Sequence, residues 1–168
     1  IIGNERGQEM KKKVLSRLVV FLLMVVMTGL LPITAFAENG NSESMLTQAT
    51  PGCSYQTHVQ NVGWQGFKSN GDMSGTFGRS LRLEGIEIKL DNQVYDLGVS
   101  YQTHIQNIGW EADTNRGWKN NGTMSGTEGL SYRLEAIQMK LTGTDADKFD
   151  IYYQVHAENF GWLGWAKN

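Results

Sequence analysis

The chain has one cysteine, Cys53, and only two prolines among 168 residues. A single cysteine cannot close an internal disulfide, so no disulfide framework holds the fold. Charge of either sign is not in excess: 15 Lys and Arg stand against 17 Asp and Glu, a balance of -2. That leaves no basic footprint for nucleic acid. Helical periodicity is scarce as well, for after residue 37 no window keeps a helical apolar period for long. The chain has glycine instead, 20 residues without a collagen-like triplet, in a sequence that is 40% hydrophobic and 10% aromatic. It is too apolar and too aromatic for a disordered chain, and its length alone suggests one domain.

Only one long apolar run is present, from Leu18 to Leu31, and it follows the basic cluster Lys11, Lys12, Lys13 and Arg17. Pro32 ends the run, and Ala35-Phe36-Ala37 then places small residues where a signal peptidase reads them. The three parts make a helical secretory signal within residues 1–37, with cleavage expected between Ala37 and Glu38. At 14 residues the run is short of the roughly 20 that span a bilayer, so no membrane span is expected after cleavage. Ile1–Glu9 have no place in such a signal, and Met10 is expected to be the true start. The exported remainder carries 10 basic and 15 acidic residues, a balance of -5, and is expected to be extracellular or bound to the cell surface. Residues 38–53, rich in Asn, Ser, Glu and Thr, read as a flexible tether. Cys53 at its end is expected to have no function.

The rest is one unit repeated. Tyr55-Gln-Thr-His58-Val-Gln-Asn-Val-Gly-Trp64 returns as Tyr101-Gln-Thr-His104-Ile-Gln-Asn-Ile-Gly-Trp110, identical at eight of ten positions. Met73-Ser-Gly75-Thr76 returns as Met124-Ser-Gly126-Thr127, and Leu81–Leu90 as Tyr132–Leu141. Five extra residues in the second copy fall between Trp110 and Trp118, where Glu111–Gly117 replace Gln65-Gly66. A third copy opens at Tyr153 and runs through His156, Trp162 and Trp165. The expected division is repeat 1 over residues 54–99, repeat 2 over 100–151 and a truncated repeat 3 over 152–168. Residues 81–90 alternate with a period of two, as a strand does, but the phase slips at Gly85 and again at Ala136, which predicts a β-bulge. The fold class expected is all-β, with tandem repeats forming a closed, pseudo-symmetric, trefoil- or prism-like architecture. The absent long strand of the third copy is expected to leave an unpaired edge.

These motifs, Tyr-x-Thr-His-x-Gln-x-x-Gly-Trp, then Gly-Thr, then Arg-Leu-Glu-x-Ile, resemble the clostridial hydrophobic W repeat over residues 54–168. The resemblance implies export from a Gram-positive bacterium and binding of cell-wall or other surface polysaccharide, or adhesion.

All five tryptophans occupy two repeat positions. Trp64, Trp110 and Trp162, each after a glycine, are expected to be structural anchors, because tryptophan buries a large area. Phe67, Trp118 and Trp165 border the variable loop and are the preferred platforms for stacking on sugar rings. His58, His104 and His156 share one repeat position and are further candidate ligand contacts. Their convergence on an axis would make a zinc site, but no carboxylate or cysteine accompanies them at ligand spacing, and no metal or cofactor is expected. Arg82 with Glu84, and Arg133 with Glu135, read as structural ion pairs. Every acid of the motif is duplicated, which suits repeated binding sites better than the one asymmetric carboxylate pair of a glycosidase. The expectation is a non-catalytic module with a weak polysaccharide site in each repeat. The alternatives are an adhesion module contacting protein, or a spacer for a further domain.

Overall fold

The computed structural model describes residues 23–29, 51–91 and 94–168. β1 is Leu23–Gly29. The first unit holds β2 (Gly52–Val59), β3 (Gly63–Trp64), β4 (Lys68–Ser69) and β5 (Leu83–Asp91). The second holds β6 (Gly98–Ile105), β7 (Gly109–Trp110), β8 (Lys119–Asn120), β9 (Ser125–Gly126) and β10 (Leu134–Thr142). The third holds β11 (Phe149–Ala157), β12 (Gly161–Trp162) and β13 (Ala166–Lys167). Two three-residue 3-10 turns, Glu111–Asp113 and Ala146–Lys148, are the only helical elements among the described residues. No helix among them is long and apolar enough to cross a membrane.

Each unit is laid out alike. Its first long strand lies between two short strands on one side and one long antiparallel strand on the other: β2 between β3/β4 and β5, and β6 between β7/β8 and β10. The reversal into the first short strand turns on an asparagine in the left-handed region, with Asn61 at φ 59°, Asn107 at 66° and Asn159 at 65°. Asparagine visits that region more readily than other side chains do. The expected bulge is present in both complete units. Pairing steps from His58↔Gly85 to Val59↔Leu83, skipping Glu84, and the second ladder skips Glu135 in the same way. An unpaired residue in one strand is what shifts the apolar phase.

One apolar core joins the units: Cys53, Tyr55 and Ile88 of the first, Val99, Tyr101 and Ile105 of the second, and Ile151 and Ala157 of the third are all buried. Cys53 belongs to β2, not to a tether. It pairs with Leu90 and is fully buried because a small, weakly polar side chain fits the interior at that register. Burial, and then the nearby Asp91, push its thiol up to about 12, so it stays protonated and inert at neutral pH.

Two expectations need correction. Among the described residues no closed barrel or trefoil is found. The described strands form three separate antiparallel sheets, which meet through side-chain packing and through β9 rather than through a continuous ladder. The helix expected over the apolar run is, at Leu23–Gly29, a strand paired antiparallel with β11 over seven residues. Its valines and threonine favour extended backbone, and β11 offers free ladder groups. The rest of the signal, its cleavage site and most of the tether lie outside the described residues.

The second unit also reaches into the first. β9 pairs with β5 as Gly85↔Gly126 and Ile86↔Ser125, and Thr127 N–H donates to Glu84 O at 2.8 Å. Ile88 N–H donates to the buried Tyr101 hydroxyl at 2.9 Å. The outer edge of β5 is therefore covered, whereas β10 ends its own sheet. That asymmetry accounts for a sequence difference. A Cβ on Gly85 would lie 2.8 Å from Met124 Cε and 3.4 Å from Trp64, while Ala136, at the matching bulge, is half-exposed.

The seat of β9 depends on Gly126, at φ 111°, where a Cβ would lie 2.4 Å from Glu84 O and 2.8 Å from Gly85 Cα. Both atoms are backbone and cannot swing aside. Gly126→Ala is expected to cost about 3 kcal/mol by forcing the turn off β5, read as a lower urea midpoint at unchanged slope. An unchanged midpoint would show that the turn does not seat there.

Candidate functional site

The bulge places an acid beside the histidine of each complete unit. In the first, Glu84 Oε2 lies 3.2 Å from His58 Nδ1, off the line of a hydrogen bond, while Arg82 meets Glu84 Oε1 through Nε at 2.9 Å and Nη2 at 2.8 Å. In the second, Glu135 lies 3.1 Å from His104 Nδ1 and Arg133 2.7 Å from Glu135. Cross-strand pairing sets Trp64 opposite His58 and Trp110 opposite His104, with ring centroids 5.5 and 5.4 Å apart in edge-to-face contact. His156 and Trp162 repeat the contact at 5.6 Å.

Arg82, Glu84, Arg133 and Glu135 thus form ion pairs within their own units. Each histidine is held by its own tryptophan, and among the described residues no group of three His, Cys, Asp or Glu is placed to hold a metal. Trp64 and Trp110 are half-buried, and Trp162 is exposed. Each abuts a histidine at the sheet surface, whereas Tyr55 and Tyr101 are the large aromatic side chains fully buried in the core.

The second aromatic position faces outward. Phe67 is 45% exposed and Trp165 50%, while Trp118 is half-buried. The strand that pairs across each complete unit brings a lysine to that ring: Lys89 Nζ lies 4.5 Å from the centroid of Phe67, and Lys140 Nζ 4.4 Å from that of Trp118. A cation over an aromatic face contributes about 0.5–1 kcal/mol at an exposed site. It also sets hydrogen-bond donors beside an apolar platform. Two residues before each lysine, the same strand carries a side chain bonded to an amide of the first strand, Gln56 to Glu87 at 2.6 Å and Gln102 to Gln138 at 2.8 Å.

Three features lay beyond the reach of the motif reading. Phe77, 63% exposed, follows the Gly-Thr turn of the first unit and makes edge contact with His156 of the third at 5.1 Å. Glu128, at the same place in the second unit, lies 3.7 Å from His58 Nε2 of the first. Glu111 is fully buried, and accepts from Thr103 N–H at 3.2 Å and from the Ser125 hydroxyl, with Arg116 Nε at 3.3 Å. Its counterpart Gln65 accepts from Gly75 N–H at 2.8 Å. The five-residue insertion therefore carries one of the two cations that face this buried carboxylate, the other being Lys119 with Nζ at 3.7 Å. An acid at an otherwise neutral position, with Arg116 arriving in the same loop, was the available signal.

Removing one member of a buried ion pair leaves the other uncompensated. Glu111→Ala is expected to cost about 3 kcal/mol, and Glu111→Gln, which restores the residue of the first unit, about 1 kcal/mol, both read by urea denaturation. Equal losses would show that charge at this position is not what the loop provides.

The family model described as Clostridial hydrophobic W matches residues 58–92 and 104–143. No curated protein and no solved structure matches the chain.

Proposed function

Because residues 58–92 and 104–143 are Clostridial hydrophobic W repeats, we propose that the chain is an exported, non-catalytic repeat module that binds polysaccharide of a cell wall or cell surface. The observation that carries the reading is the repeated outward aromatic, Phe67 at 45% and Trp165 at 50% exposure, with Trp118 half-buried at the same repeat position. Sugar rings present apolar C–H faces that stack on such a platform, and the adjacent Lys89 and Lys140 supply donors for hydroxyl or anionic groups. Each site is small and open, so each is weak. Several in one chain gain strength by raising the effective concentration of the next site once the first is engaged.

The histidines contribute through the tryptophans they abut rather than through a metal. Catalysis has no support in the arrangement. Each buried motif acid is tied to an arginine of its own unit, and the constellation repeats instead of forming one asymmetric pair. The leader read from the basic cluster and the apolar run supports an extracellular destination.

Retention on purified cell wall tests the reading. Trp118→Ala and Trp165→Ala are each expected to weaken retention several-fold, and the pair more than either alone, with the fold intact by circular dichroism. Retention of the double variant equal to the parent would remove the stacking site. Retention that survives glycan removal but not protease treatment of the wall would assign the surface to a protein partner.

A further inference from the structure

β11 is flanked on one side by β12 and β13, as β2 is by β3 and β4. Residues 152–168 contain no Arg-Leu-Glu strand to flank the other side, yet that side is paired. We propose that Leu23–Gly29 serves as the long second strand of the third unit, so that β11 is a strand-accepting site and the apolar run its occupant.

Register carries the argument. The tyrosine that marks the first strand of each unit pairs with Ile88 in the first ladder, Met139 in the second and Val25 in the third. Two steps away on one side, Thr57, Thr103 and Val155 pair with Ile86, Ile137 and Leu23. Two steps away on the other, Cys53, Val99 and Ile151 pair with Leu90, Leu141 and Met27. Leu23, Val25 and Met27 therefore hold the positions of Ile86-Ile88-Leu90 and Ile137-Met139-Leu141, of which all but the half-buried Ile137 are buried. Met24, Val26 and Thr28 hold those of Glu87-Lys89-Asp91 and Gln138-Lys140-Thr142, where both true repeats place polar residues.

Direction and placement agree with the register. All three ladders are antiparallel. β5 touches the next unit at β6, β10 touches the next at β11, and β1 touches β2. A one-residue slip would exchange the two rows of β1 and set Met24 and Val26 at the core positions. Because the interaction is backbone pairing plus an apolar residue at every second position, it reads pattern and not identity. Loss of Leu23–Gly29 opens the β11 edge to any strand with such an apolar row, including the second strand of another copy.

The test uses the full chain, produced in the cytoplasm with its leader uncleaved, and substitutes adjacent residues. Val25→Asp is expected to lower the melting temperature by about 10 °C, because its register position is one that the other two ladders bury. Val26→Asp, at the position of Lys89 and Lys140, is expected to shift it by no more than a degree or two. Replacing Leu23–Met27 by Ile-Gln-Met-Lys-Leu, the sequence of residues 137–141, keeps the apolar row, gives the other row the polar residues of the second unit, and is expected to retain the parent melting temperature or raise it. Equal shifts for the two aspartates, whether both large or both absent, would overturn the proposal, as would loss of stability in the replacement chain.

Discussion

Tyr55 opposite Ile88, Tyr101 opposite Met139 and Tyr153 opposite Val25 define one ladder used three times. Each joins a strand of mixed polarity to a strand with an apolar residue at every second position; the residues between are polar in β5 and β10, and are Met24, Val26 and Thr28 in β1. Neither strand buries enough alone, and pairing fixes which row of the second strand reaches the core. The bulge at Glu84 and Glu135 follows from the same ladder. It turns an acid toward the histidine at the end of the first strand, while the following residues return to the core phase. The histidine, its tryptophan, the arginine and the outward lysine all take their places from this pairing.

The units are alike but their surroundings are not. The turn of the second unit covers β5 and brings Glu128 to His58, whereas the turn of the first brings Phe77 to His156. His104 receives no such residue among those described. Its side chain is 24% exposed, against 13% for His58. Small differences in sequence track these contacts: glycine where Met124 lies against β5, alanine at the half-exposed bulge of β10. Repeat proteins commonly derive much of their stability from such neighbour interfaces, so a unit's environment matters as much as its own residues.

Much of this was legible in the chain. Period-two alternation gave the long strands, and the repeated slip at Gly85 and Ala136 gave the bulge, because side-chain phase is a local property of a strand. The Arg-Glu pairs were legible for the same reason, being two residues apart on one strand. The partner of β11 was not, since the strand at Leu23–Gly29 depends on an open edge more than one hundred residues away in sequence. Tolerance of Phe or Trp at the Phe67 position left core and surface both open, and its lysine comes from a strand more than twenty residues away in sequence. Glu111 was hidden because burial of a carboxylate depends on donors from β6 and β9 that no spacing in the loop reveals.

Backbone hydrogen exchange on the unmodified full chain tests the three-fold ladder most directly. The amides of Gln56, Gln102 and Gln154 lie at the same point of the three ladders and face the long second strand, whereas the residues on either side of them bond to the short strands. Comparable slow exchange at all three, lost together under mild denaturant, is the result the account predicts. Fast exchange along β11, with β2 and β6 protected, would contradict it.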